Sequence, residues 1–115
     1  GCAVPALAYI DQPRRHASVA RQFDVSGWAI KEQVGVARVQ ITLDGMPMAF
    51  AEYGHAMPHV AQFWNTSTDP GLPNVGYRAR VDASGVPAGR HWLGLVVHGR
   101  DGSAEALPEL PIRIR

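Results

Sequence analysis

A single cysteine, Cys2, excludes an internal disulfide, so packing alone must hold the fold. Charge is sparse and balanced: 18% of residues are charged and the formal net charge is +1. A field that weak draws the chain neither to nucleic acid nor to an acidic membrane. No run approaches the roughly 20 apolar residues that span a bilayer, so no transmembrane segment is expected. No basic, then apolar, then small-residue leader opens the chain. Phosphate loops, paired-cysteine metal sites and EF-hand loops are absent, and no serine sits in a G-x-S-x-G setting. These absences leave no catalytic machinery and no cofactor to expect. Internal repeats and helical periods longer than a turn or two are missing as well.

What is present fits one globular domain over residues 1–115, with residues 1–6 as a flexible N-terminal segment. Hydrophobic residues make up 46%, more than a disordered chain carries. Twelve glycines and nine prolines call for many turns, which suits short strands. Leu7 to Asp11 makes a first strand, closed by Gln12-Pro13. Phe23 and Val25 lie on one phase and Trp28 and Ile30 on the other, so a bulge is expected at Gly27, with Trp28 in the core. Ala37, Val39, Ile41 and Leu43 alternate with Arg38, Gln40 and Thr42 in a half-buried strand. Asp44-Gly45 then predicts a type I′ turn into an apolar strand from Met46 to Tyr53.

Val75 to Asp82 alternates again. His91 to His98 is apolar on both phases, as in a central strand covered on both faces, which would bury Trp92. Leu110, Ile112 and Ile114 complete the set, with prolines that suggest an edge. About seven strands at these spacings predict an all-β, immunoglobulin-like Greek-key sandwich. The exception is residues 54–74, long and with little alternation, which contain Pro58, Pro70, Pro73, Phe63 and Trp64; loops of this length in compact domains tend to carry function.

Taken in order, Tyr9-Ile10-Asp11-Gln12-Pro13, Val25-Ser26-Gly27-Trp28-Ala29, Leu43-Asp44-Gly45, Glu52-Tyr53-Gly54, Pro58-His59-Val60, Val75-Gly76-Tyr77 and Pro87-Ala88-Gly89-Arg90-His91 resemble a bacterial immunoglobulin-like family. Its members occur as accessory modules beside glycosyltransferases and other surface-polysaccharide or exported enzymes. The resemblance implies a sandwich and supplies no catalytic residue. Met57 and His59 stand where the family pattern has Arg and Asp, so the ion pair those would form is missing.

Two clusters remain as candidate sites. Aromatic faces stack on sugar rings, so Phe63 and Trp64, with Tyr53, His55 and His59 as polar neighbours, are the candidate ligand-binding residues. All three methionines and two histidines fall together as Met46, Met48, His55, Met57 and His59, a soft donor set suited to copper. Against that, Met46 and Met48 share a strand face and are expected in the core, and Pro58 denies the histidines a helical spacing. Arg78 with Arg80, and Arg113 with Arg115, read as solvated strand faces rather than a nucleic-acid footprint. Gly1-Cys2 has the form of a lipoprotein cleavage site. The expectation is a non-catalytic accessory module of an envelope-associated or exported bacterial protein, periplasmic, outer-membrane-anchored or extracellular. Its partners would be a neighbouring domain of the same polypeptide, an envelope protein or a surface polysaccharide.

Overall fold

The computed structural model describes residues 5–115. Cys2, and with it the lipidation reading, lies outside the described residues. In chain order the elements are β1 (Ala6–Gln12), β2 (Ser18–Val19), β3 (Gln22–Lys31), β4 (Val36–Leu43), β5 (Met46–Phe50), β6 (Glu52–His55), α1 (Pro58–Phe63), β7 (Gly76–Asp82), β8 (Gly89–Gly99), β9 (Ala104–Ala106) and β10 (Leu110–Ile114). Ala6 already pairs with Lys31 and is buried, so the strand begins inside the segment expected to be flexible.

One sheet runs β1-β3-β7-β6 and the other β2-β10-β8-β4-β5, with β9 also on β8. These are the A-B-E-D and G-F-C orders of an immunoglobulin sandwich, with β5 added next to β4. The fold is therefore an all-β immunoglobulin-like sandwich. More strands appear than the expected seven because several readings split. The apolar run from Met46 to Tyr53 becomes two strands in different sheets, parted at Ala51. Asp44 and Gly45 have φ of 52° and 81°, the positive pair a type I′ turn demands.

The core between the sheets is built from the inward phase of each long strand: Phe23, Val25 and Ala29; Val39, Ile41 and Leu43; Tyr77 and Val81; Leu93, Leu95 and Val97; Ile112 and Ile114. Several sequence expectations change here. Gly27 makes no bulge, because the β3–β7 ladder runs unbroken from Gln22↔Asp82 to Trp28↔Gly76. Gly27 instead continues the inward phase of Phe23, Val25 and Ala29, which turns Trp28 and Ile30 to the outer face of the sheet. Trp28 is thus half-buried outside the main core rather than clamped between the sheets. The irregularity falls on β1, between Ile10 and Gln12.

Ala37 is exposed because a register shift between Val36 and Arg38 hands the inward position to Val36. β8 is central, as expected, yet on its outer face Trp92 is 44% exposed while Val96 and His98 are half-buried. β10 is flanked by β8 and by the short parallel β2, which pairs only with Arg113 and Ile114, beyond the proline at 111.

Candidate functional site: an aromatic ledge on the outer face

Trp28 and Ile30 would leave an apolar patch on the outer face of the first sheet, and the segment between β6 and β7 covers part of it. Pro58 opens α1 at its first turn, where a missing N–H costs no hydrogen bond, so His59 lies on the short helix while His55 stays before it on β6 and the two share no helical spacing. The helix drops Val60 onto Ile30 and Val75, with Trp28, Tyr53, Met57, Trp64 and Leu72 packed around them.

Two carboxylates pin the far end of the segment. Glu32 accepts from Ser67 Oγ (2.6 Å), the Thr68 amide (2.6 Å) and Thr68 Oγ1 (2.8 Å). The Ser67 hydroxyl above all, then the Thr68 amide and hydroxyl, hold the Glu32 carboxyl below its ordinary pKa. Asp69, only 5% exposed, accepts from the Lys31 amide (2.8 Å) and the Gly71 amide (2.6 Å). The segment is therefore a fixed covering rather than a free loop.

The covering lines up four rings. Tyr9 lies directly opposite Trp28 in the β1–β3 register, and their rings stack at 6.3 Å with 24° between planes. Trp64 tilts against Trp28 at 6.1 Å, and Phe63 meets Trp64 edge-on at 5.3 Å. The ends of the row are open to solvent: Tyr9 is 57% exposed and Phe63 78%. Polar side chains continue the same face along β3 and β7, where Arg80 pairs with Asp24 at 3.1 Å and Arg78 lies opposite Ser26 and Glu52. The result is a hydrophobic ledge bordered by hydrogen-bonding groups.

Of the expected binding residues, Phe63 and Trp64 belong to the ledge. Tyr53 does not present its hydroxyl, which donates to the Ala29 carbonyl at 2.7 Å; burial, then the negative charge of Asp69, pushes its pKa well up. His55 lies over Gly76 with Nε2 3.6 Å from Glu52, and His59 is exposed on α1. The methionine and histidine set is divided. Met46 is 68% exposed on β5 and Met48 packs on the main core, both on the second sheet, while Met57 packs on the outer cluster beneath α1. Tyr9 and Trp28 are ledge residues that the sequence reading missed. The missed signal was the unbroken phase Phe23-Val25-Gly27-Ala29, which alone assigns Trp28 to the outer face.

One pair has the look of a catalytic dyad. His91 Nδ1 meets the Asp44 carboxylate, and Nε2 meets the Pro87 carbonyl at 2.6 Å. Both ring nitrogens are thus committed to structure, with none left to move a proton to or from a substrate.

No family model and no curated protein matches the chain. Solved structures do. The fibronectin(III)-like modules of CbhA from Clostridium thermocellum superpose with a TM-score of 0.58 at 17% identity, over 95% of this chain and 46% of that one. An endo-β-1,4-mannanase from Thermotoga petrophila superposes with a TM-score of 0.66 at 11% identity, over 96% of this chain and 20% of that one. The chain thus spans less than half the length of either structure. At these identities the likeness establishes the fold alone, a sandwich similar to fibronectin(III)-like modules.

Proposed function

We propose that the chain is a non-catalytic immunoglobulin-like accessory module of a bacterial exported or envelope-associated protein, and that it acts by presenting the ledge of Tyr9, Trp28, Trp64 and Phe63. The observation that carries this is the ledge itself. Two well-exposed rings are held in line by two half-buried ones on a rigid sheet, at the one surface where a long segment is fixed by Glu32 and Asp69. The resemblance of the sequence to accessory modules beside surface-polysaccharide enzymes supports the same reading.

A polysaccharide is the ligand this surface suits best. Pyranose rings offer an apolar face to stack on aromatics and hydroxyls for Asp24, Ser26, Arg78 and Arg80 alongside. A periplasmic copper role finds less support, because Met46 and Met48 sit on the opposite sheet from His55, Met57 and His59.

Retention on insoluble β-linked mannan and cellulose tests the polysaccharide reading. Wild type should bind, and Phe63→Ala or Tyr9→Ala should each weaken binding about three- to tenfold, the worth of one aromatic contact. No retention of wild type, or retention equal in both variants, contradicts it.

A further inference from the structure

β1 is one of the two edge strands of the first sheet, and from Ala6 to Ile10 it has no charge, no proline and no bulge, the devices that ordinarily guard an edge. In an antiparallel ladder, alternate residues turn their backbone groups to the neighbouring strand and those between turn them away. Tyr9 turns towards β3, since its carbonyl oxygen lies 1.9 Å from where a Cβ on Gly27 would stand. Ala6, Ala8 and Ile10 therefore direct N–H and C=O outward. The Ala6 amide agrees with this phase, donating outward to Glu105 Oε2 at 2.8 Å. Ala8 and Ile10 have no outward partner among the described residues.

Beside this edge, between the sheets, runs an open groove of about 840 Å³ that reaches Leu95, Leu107 and Leu110. Its ends differ in charge. Glu105 sits at the Ala6 end, and Arg14 and Arg15 line the other. Neither arginine forms an ion pair among the described residues; Asp11 lines the groove beside them, and Glu109, which also lines it, has its side chain against Gly94.

We propose that this edge is a self-association surface, pairing antiparallel with β1 of a second copy of the chain about a two-fold axis at Ala8. Three features select a second copy over a foreign strand. An edge that is acidic at one end and basic at the other is complementary to its own antiparallel image. The register centred on Ala8 sets Ala6 of each copy against Ile10 of the other, small against large, with the Ala6 amide exchanging its Glu105 acceptor for the Ile10 carbonyl of the second copy. The same register brings Leu7 of one copy beside Tyr9 of the other, covering side chains that are 41% and 57% exposed and joining the two ledges into one. A five-residue seam is short beside the roughly 800 Å² per partner of a standard interface, so association should be weak, with a dissociation constant of about 10 to 100 µM. This inference does not depend on what the ledge binds.

Sedimentation equilibrium of the full chain tests it, from low micromolar to millimolar protein with reductant present to silence Cys2. Wild type should pass from monomer to dimer. Ala8→Pro removes the central outward N–H, a donor β3 does not use, so the variant should keep the wild-type melting temperature and stay monomeric. Glu105→Lys alone and the double change Arg14→Glu, Arg15→Glu alone should also be monomeric. Mixed together, they should restore the dimer, because one copy then offers basic ends and the other acidic ends. A wild type that remains monomeric throughout overturns the proposal, including one that binds a foreign extended peptide at this edge instead. A dimer undisturbed by Ala8→Pro, or a mixture that fails to re-associate, overturns it equally.

Discussion

Gly27 on β3 sits where the backbone of the edge strand β1 passes close by. A methyl group there would stand 1.9 Å from the Tyr9 carbonyl oxygen and 2.8 Å from the Tyr77 hydroxyl, which itself donates to Tyr9 O at 3.0 Å. Neither neighbour can give way without breaking the β1–β3 register that brings Tyr9 to Trp28. Gly27→Ala is therefore expected to cost at least about 3 kcal/mol in urea unfolding, at the upper end of overpacking effects. A cost below about 1 kcal/mol would mean that β1 can shift freely.

His91 makes stability depend on pH. Its two ring nitrogens meet two acceptors, and only the imidazolium can donate to both. The hydrogen bond with Asp44, then that with the Pro87 carbonyl, raises its pKa. Burial pushes the Asp44 carboxyl up, but hydrogen bonds from His91 and the Trp92 amide outweigh it and leave the pKa lowered. With a raised folded value, the histidine contribution is fully present below the ordinary pKa of about 6.5 and is lost as pH rises through the folded value. The Asp44 contribution runs the other way, present above the ordinary carboxylate value and lost as pH falls through the lowered one. The melting-temperature difference between wild type and His91→Gln should thus be larger near pH 6 than near pH 9. Equal differences at the two pH values would remove the charged clamp from the account.

At the scale of elements, the segment 56–75 behaves as a covering latched at one end. Asp69→Ala would leave the amides of Lys31 and Gly71 without their acceptor, at a cost of about 2 to 3 kcal/mol. It should also loosen Trp64 from Trp28. The expected signs are a red shift in tryptophan emission and faster hydrogen exchange at the Val60 and Trp64 amides. Unchanged exchange there would mean that the apolar contacts of Val60 suffice.

Strands were legible wherever one face is wet, because alternation then records burial directly: Val39, Ile41 and Leu43 point inward as the pattern says, and Asp44-Gly45 turns as its chemistry requires. Legibility failed where both faces carry apolar residues. Trp28 and Ile30 mimic a change of phase because a second, smaller cluster covers the outer face, and that cover comes from residues between Tyr53 and Val75, far along the chain. Trp92 failed for the opposite reason, since apolarity on both phases predicts a second cover that does not extend to its end of β8. Phe63 and Trp64 were found from composition, whereas Tyr9 enters the site only through strand pairing. The carboxylates of Glu32 and Asp69 carried no sequence signal for their partners at Ser67, Thr68 and Gly71.

At the scale of the molecule, the sandwich measures 41 × 30 × 19 Å and offers three distinct surfaces. The ledge occupies the outer face of the first sheet, and the β1 edge with its groove lies along one side. The outer face of the second sheet carries Arg38 stacked 4.7 Å over Phe50, next to His98. The main core between the sheets, among the described residues, is built mostly of Val, Ile and Leu with Phe23 and Tyr77. The central claim is that binding resides on the ledge.

Amide and indole resonances followed during titration with soluble β-1,4-linked manno- and cello-oligosaccharides test that claim most directly. The indole signals of Trp28 and Trp64, and the amides around Tyr9 and Phe63, should move together and saturably, while Trp92 on the far sheet stays still. Shifts confined to Trp92 and its neighbours, or no shifts with any oligosaccharide, would contradict it.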